Sequence, residues 1–324
     1  MDKSVIYSVV IPVFNEEQVI LETYSRLTGV MQETGGSYEL IFVNDGSRDR
    51  TGEIIDSLIQ DDDRVRLLDF SRNFGHQIAI TAGMDYARGE AVVIIDGDLQ
   101  DPPEVIPLMI EKWQEGYEVV YGRRTQRKGE SWWKTATAAL FYRVLGTLTK
   151  TSIPFDTGDF RLMDRKVCDA MRGLREKNRF VRGLVSWVGF RQTAIEFVRE
   201  ERFAGESKYP LKKMLHFAWD GISAFSYKPL QISLCLGSLV TAGSLIYITL
   251  SLLKSLLILK APDLGNELMA GSCLLDGLVL MAVGILGEYV SRICDESRGR
   301  PLYILRNQKE AAQSKVREVR WRVQ

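Results

Sequence analysis

Asp96-Gly97-Asp98, with Gln100 two residues on, closes the apolar run Val92-Val93-Ile94-Ile95. Two carboxylates and an amide oxygen are hard ligands that suit Mg²⁺ or Mn²⁺, ions that usually keep positions open for substrate phosphates. The same residues also make turns, because Asp and Gly favour them and Pro102-Pro103 can open a helix. Acid-Gly-acid alone does not choose between these readings, so its neighbours must.

The first half of the chain alternates strand and helix patterns. Strands are expected in YSVVIPVF, YELIFVND, RVRLLDFS, EAVVIID and YEVVYG. Helices are expected after Asn15-Glu16-Glu17, from Thr51 to Ile59, near Gln77 to Ala87, and from Pro103. Continuous apolar strands separated by helices predict an α/β fold, a parallel-rich sheet with helices on both faces. Ligands bind such sheets at the carboxyl ends of the strands. Those ends carry Pro12 to Glu16, Asn44 to Ser47, Ser71 to Asn73 and Asp96 to Asp98, so polar residues converge on one edge. The first strand is not followed by GxGxxG, and GxxxxGK[ST] is missing from the chain, which disfavours a Rossmann dinucleotide site or a P-loop.

Composition narrows the classes further. Lys+Arg and Asp+Glu both total 42, so no global basicity argues for a nucleic-acid partner. Cys168, Cys235, Cys273 and Cys294 form no CxxC pair and read as buried thiols; with only His76 and His216, a histidine-rich metal centre is excluded. The amino terminus shows no signal-peptide pattern.

Near residue 229 the composition changes. Leu230 to Leu253 holds no charge until Lys254, and a second apolar run covers Leu268 to Leu286. Each is near the ~20 residues that cross a bilayer, so a two-helix transmembrane hairpin is expected. Lys208, Lys212, Lys213 and Lys228 precede it and Arg292, Arg298 and Arg300 follow it, against Lys254 and Lys260 between the spans. The positive-inside rule then places the catalytic domain and C-terminus in the cytoplasm, at the inner (plasma) membrane. The expected divisions are a domain over 1–204, interfacial amphipathic helices over 205–228, spans over 229–290 and a tail over 291–324. Ser131 to Lys150, with Trp132 and Trp133, also suits the lipid interface. Asp276 sits mid-span, and Gly237, Gly243, Gly284 and Gly287 would permit close helix contact and a homo-oligomer.

VVIPVFNEE, VNDGSRDRT, SRNFGHQ, IDGDLQDPPE, YGRR, GDFRLMDR and ERFAGESKYPLKKM occur in that order. Together they resemble the inverting A-type-fold glycosyltransferases that charge a polyprenyl phosphate with one sugar, such as bactoprenol glucosyltransferases and dolichyl-phosphate mannose synthases. The resemblance implies that Pro12, Phe14, Glu16, Val43 and Asp45 hold the nucleoside of a UDP-sugar donor. It places Asp96, Gly97, Asp98 and Gln100 at the metal and diphosphate, and Arg124 (with Arg123 a rival) on the donor side. Arg202, Ser207 and Lys208 would meet the polyprenyl phosphate acceptor. Asp159 in GDFRL would stand where the catalytic base is proposed, with Asp98 beside it. His76 reads as a polar residue packed near the nucleotide.

The chemistry can also be built from the residues. A departing nucleoside diphosphate develops negative charge, which a metal at Asp96 and Asp98 and a nearby arginine would neutralise. A lipid phosphate monoester, with its second pKa near ~6, is already mostly dianionic at neutral pH. Asp159 is therefore expected to orient a cation or the acceptor more than to remove a proton. The expected activity is transfer of glucose from UDP-glucose to undecaprenyl phosphate with inversion. Alternatives are a GDP-mannose enzyme, a processive polysaccharide synthase (RFVRGLVSW stands where its QxxRW would), and a non-catalytic nucleotide-binding scaffold.

Overall fold

The structure, a computed structural model, describes residues 5–124, 157–174, 176–177, 179–198, 243, 246, 249 and 264–310. The chain divides into two compact units, one of Met1–Gly146, Thr151–Met214 and Pro301–Gln324, the other of Thr147–Lys150 and Leu215–Arg300.

The first unit is built on one eight-stranded sheet. Its strands are β1 (Tyr7–Val13), β2 (Tyr38–Asn44), β3 (Val65–Phe70), β4 (Ala91–Ile94), β5 (Val119–Arg124), β6 (Thr157–Asp164), β7 (Gln192–Phe197) and β8 (Leu305–Glu310). Their order is β7-β5-β6-β4-β1-β2-β3-β8. The central strands β4, β1, β2 and β3 are parallel, as their continuous apolar runs require. The sheet as a whole is mixed: β6 runs antiparallel to β4 and β5, and β8 antiparallel to β3.

Helices cover both faces. On one, Val9 and Ile11 of β1 join Leu40 and Phe42 of β2 in a core with Leu27, Ile55 and Met109. Those three come from α1 (Ile20–Glu33), α2 (Thr51–Asp61) and α4 (Ile106–Gln114). The α1 stripe Ile20, Thr23, Leu27, Val30 and Met31 has the helical spacing of a single buried face. On the other face α3 (His76–Tyr86) lies so close to β1 that a Cβ at Gly83 would fall 2.0 Å from Val10 Cγ1.

Three features depart from the sequence expectations. The first helix opens at Ile20, later than Asn15-Glu16-Glu17 suggests. Asn15 is left-handed at φ 55, its N–H donates to Ser47 Oγ at 2.9 Å, and the Glu16 N–H donates to Thr51 Oγ1 at 2.9 Å. The turn is thus tied to the next loop before the helix can start. Second, part of the expected tail belongs to the sheet, since β8 pairs along β3 from Arg66↔Glu310 to Phe70↔Leu305. An open β3 edge would expose unpaired backbone groups, and β8 covers it. Third, Cys294 is exposed, whereas Cys168 is buried, with burial pushing its thiol up to about 12.

The second expected span falls within α7 (Leu264–Ser297), while Leu230–Leu253 lies outside the described residues apart from helical positions 243, 246 and 249. Among the described residues no helix is long and apolar enough to cross a membrane. The interfacial segments 131–150 and 205–228 also lie outside the described residues.

Gly83→Ala tests the α3–β1 contact. Overpacking of this kind costs about 1–3 kcal/mol, so the variant should unfold at lower urea concentration than wild type with an unchanged m-value.

Candidate active site

The acid pair follows β4 directly. Gly97 sits where a Cβ would come within 2.9 Å of Val13 Cγ1, and its carbonyl accepts from Thr23 Oγ1 at 3.0 Å. Asp98 Oδ1 accepts from the Gln100 N–H at 3.2 Å. Leu99 between them is buried at a left-handed φ of 58, backbone strain of the kind that persists where surrounding structure over-determines it.

Asp159 reaches the same place from the neighbouring strand. Because β6 is antiparallel to β4 with Arg161 opposite Ile94, residues before Arg161 run past the end of β4 towards Asp96. Asp159 is 4 % exposed, so its charge must be paired. Arg182 grips it with Nε 2.8 Å from Oδ1 and Nη2 3.1 Å from Oδ2. His76 Nε2, at the start of α3, lies 3.3 Å from Asp159 Oδ2 and 3.5 Å from Asp96 Oδ1. Gln77 Nε2 donates to Asp159 Oδ2 at 3.0 Å. The other end of that amide, Oε1, accepts the Val181 N–H at 2.9 Å. Val181 opens a short helix, α6 (Val181–Trp187), numbered after α5 (Arg165–Arg172). Since the N-cap residue Phe180 offers no side-chain cap, Gln77 supplies one from across the site and so fixes the helix that carries Arg182.

The electrostatics follow from this packing. Burial would raise the Asp159 carboxyl, but Arg182 and His76 hold it well below the usual carboxylate range. Burial would lower the His76 imidazole, yet Asp96 and Asp159 push it up to about 9. Burial raises Asp96, with Asp98 and Asp159 adding to the effect and His76 and Arg124 opposing it. Burial also brings the Arg161 guanidinium down to about 10, against the pull of Asp159. Asp159 is thus an ionised anchor for two cations, a poor arrangement for accepting a proton.

The remaining expected residues fall into place unevenly. Pro12 and Val43 are buried in β1 and β2, and Phe14 lines a cavity of about 380 Å³ over the ends of β1, β2 and β3. Asp45 is buried and committed to the backbone, accepting from the Phe74 N–H at 2.7 Å and the Gly75 N–H at 3.0 Å; burial raises its carboxyl. Glu16 enters through its backbone bond to Thr51. Arg124 reaches the acid side, with Nη2 3.3 Å from Asp101 Oδ1, while Arg123 faces Glu196 at 3.8 Å. Arg202, Ser207 and Lys208 lie outside the described residues.

Asp96 Oδ1 is buried and accepts no hydrogen bond among the described residues; the charge it faces is His76 Nε2 at 3.5 Å. Among the described residues no set of three or more His, Cys, Asp or Glu side chains is arranged to hold a metal alone. Any ion at the acid pair would therefore need oxygens from substrate or water.

Comparison with known proteins identifies the scaffold. Residues 8–172 match Glycosyl transferase family 2. The chain belongs to that family. It is 58% identical to the uncharacterized glycosyltransferase YkcC of Bacillus subtilis, covering 94% of each chain. It is 40% identical to the bactoprenol glucosyl transferase of Shigella phage SfV, over 94% of this chain and 99% of that one. Staphylococcus aureus TarS in complex with UDP-GlcNAc is a structural neighbour, with a TM-score of 0.45 and 16% identity over 68% of this chain and 66% of that one.

Within this family-2 site the sequence reading did not single out Arg182 or Gln77, and for His76 the structure adds the partners Asp96 and Asp159. All stand in stretches that drew attention, SRNFGHQ and RFVRGLVSW. The usable signal was Asp159 itself, because a carboxylate in an apolar strand requires cations nearby.

Removing Arg182 should leave Asp159 under-compensated. Breaking a buried pair costs about 3–5 kcal/mol, with the lower end expected because Arg182 is 21% exposed. Asp159's depressed value means its stabilisation is present above the unfolded pKa of ~3.9 and lost as pH falls through the folded value. His76's raised value has the opposite sign, its contribution being full below ~6.5 and lost as pH rises through about 9. Urea titrations without added divalent cations should show wild-type stability declining between those two limits, and His76→Gln should lack that decline. Arg182→Ala should lose stability at pH 7 and begin its acid loss at higher pH than wild type.

Proposed function

We propose that this chain is a membrane-bound, inverting glycosyltransferase that moves one hexose, glucose from UDP-glucose, onto a polyprenyl phosphate such as undecaprenyl phosphate. The product would be a lipid-linked sugar donor for cell-envelope glycan. The observation that carries the reading is Asp159, ionised and clasped by Arg182 and His76 beside Asp96. An acceptor hydroxyl would need a general base there, whereas a phosphate dianion needs positive charge and no proton removal. The relative named bactoprenol glucosyl transferase, similar over nearly its whole length, supports the same acceptor class.

In this account a lipid phosphate oxygen attacks the anomeric carbon while the bond from that carbon to the nucleoside diphosphate breaks. Configuration inverts, and no proton changes hands. Asp96, Asp98 and Gln100 would hold Mg²⁺ or Mn²⁺, which when bound supplies Lewis-acid stabilisation of the leaving diphosphate. Asp96 Oδ1, buried without a hydrogen bond among the described residues and facing His76 at 3.5 Å, fits that role. Arg124, whose guanidinium lies against Gly158 on the acid side, would steady the donor phosphates. Arg202, Ser207 and Lys208 would receive the acceptor headgroup. Leu230–Leu253 and Leu268–Leu286 would form the hairpin at the inner membrane, with the catalytic unit cytoplasmic.

Thin-layer analysis of lipid products from radiolabelled UDP-glucose, GDP-mannose and a UDP-aminopentose should give glucose-labelled polyprenyl phosphate alone. Asp96→Ala and Asp98→Ala should each lower turnover at least about a hundredfold while keeping the thermal transition. A chelator should abolish the label and Mg²⁺ or Mn²⁺ restore it. Mannose in the product would overturn the donor assignment, and full turnover in excess chelator would overturn the metal.

A further inference from the structure

The strand that follows α7 in the chain, β8, reaches the nucleotide end of the sheet. Antiparallel pairing sets the beginning of β8 against the carboxyl end of β3, the edge where α/β sheets bind ligands. The register slips there: Asp69 faces Asn307 and Phe70 faces Leu305, which leaves Arg306 as the extra residue of a bulge. Bulges beside functional sites re-aim a side chain. Tyr303 fixes the approach, its ring stacked on Phe70 at 5.3 Å and its hydroxyl donating to Asp85 at 3.1 Å.

Arg306 is aimed at the cavity that Phe14 lines. Its Nη2 donates to the Ser71 carbonyl at 3.2 Å and its Nη1 lies 3.8 Å from Asp69 Oδ2. A guanidinium has more donors than these contacts use, and the side chain is 59% exposed. Arg48 and Arg72 line the same cavity. Asp69 lies outside the lining and also accepts from Asn44 Nδ2 at 2.8 Å. The lining residues include three arginines and no carboxylate, so the lining is cationic, with an aromatic wall at Phe14, a combination that suits a nucleotide.

We propose that Arg306 binds the donor nucleotide, so that the segment beyond α7 completes the donor pocket; this rests on the sugar-nucleotide reading above. Lys309 on the same strand provides the control, because it pairs with Asp56 of α2 at 2.6 Å and is not among the residues lining the cavity.

Calorimetric titration of the full-length, detergent-solubilised protein with UDP and Mg²⁺ tests the assignment. Arg306→Ala should weaken UDP binding about tenfold or more, the usual loss for a charge-assisted hydrogen bond. Arg306→Lys should recover part of that loss, and Lys309→Ala should match wild type. All variants should keep the wild-type thermal transition, since Arg306 is exposed. Wild-type affinity in Arg306→Ala, or an equal loss in Lys309→Ala, overturns the proposal. If wild type takes GDP in place of UDP, only the uridine reading fails, and the same variants titrated with GDP decide about Arg306 by the same criteria. A wild type that binds neither nucleotide overturns both.

Discussion

A carboxylate buried at the end of a sheet has to be paired, and the pairing of Asp159 organises the rest of the site. Arg182 and His76 neutralise it, and Gln77 bonds both to it and to the helix that carries Arg182. Three separate segments, the start of α3, the start of β6 and the start of α6, are thereby locked around one charge. Desolvating a carboxylate is costly enough that losing any partner is felt by the others. The arrangement also fixes the protonation state of the site. With its charge stabilised by cations, Asp159 is suited to holding positive charge where, in the proposed reaction, two anions would meet.

The sheet explains why those anions would meet at this edge. Parallel β1, β2, β3 and β4 all end on the same side, and the two edge extensions enter it by antiparallel pairing. β6 delivers Asp159 past the end of β4, and β8 delivers Arg306 to the end of β3. Neither contribution follows from the alternation of strands and helices, and both follow from strand direction. Left-handed Asn15 and Leu99 occupy the loops after β1 and β4, so local strain is concentrated where the ligand edge lies.

The central sheet was legible because Val, Ile and Leu runs of strand length sit between helical stripes. The place of Asp96 and Asp98 at the ligand edge of the sheet was legible because the apolar run Val92 to Ile95 ends directly on them. Arg182, Gln77 and Arg306 were not, because their roles depend on contacts across long sequence separations: Gln77 meets Val181 over 104 residues, and Arg306 meets Ser71 over 235. The strand within the expected tail was not legible for the same reason. LYILRNQKE has no strong strand pattern alone and becomes a strand by covering an open edge. Asp45 likewise makes contacts that the sequence did not signal, accepting the backbone N–H groups of Phe74 and Gly75.

The claim on which the rest depends is that Asp159 acts by its charge on Arg182 and His76. The rate of Asp159→Asn as a function of pH measures this directly with UDP-glucose and a polyprenyl phosphate. The acceptor phosphate has titrated by about pH 7. The variant should therefore be slower than wild type and show no rise in rate from there to about pH 8, because losing the His76 proton that Asp159 helps to hold would only lower the rate further. A steep rise with pH in the variant, absent from wild type, would show that hydroxide replaces a lost base and would contradict the account.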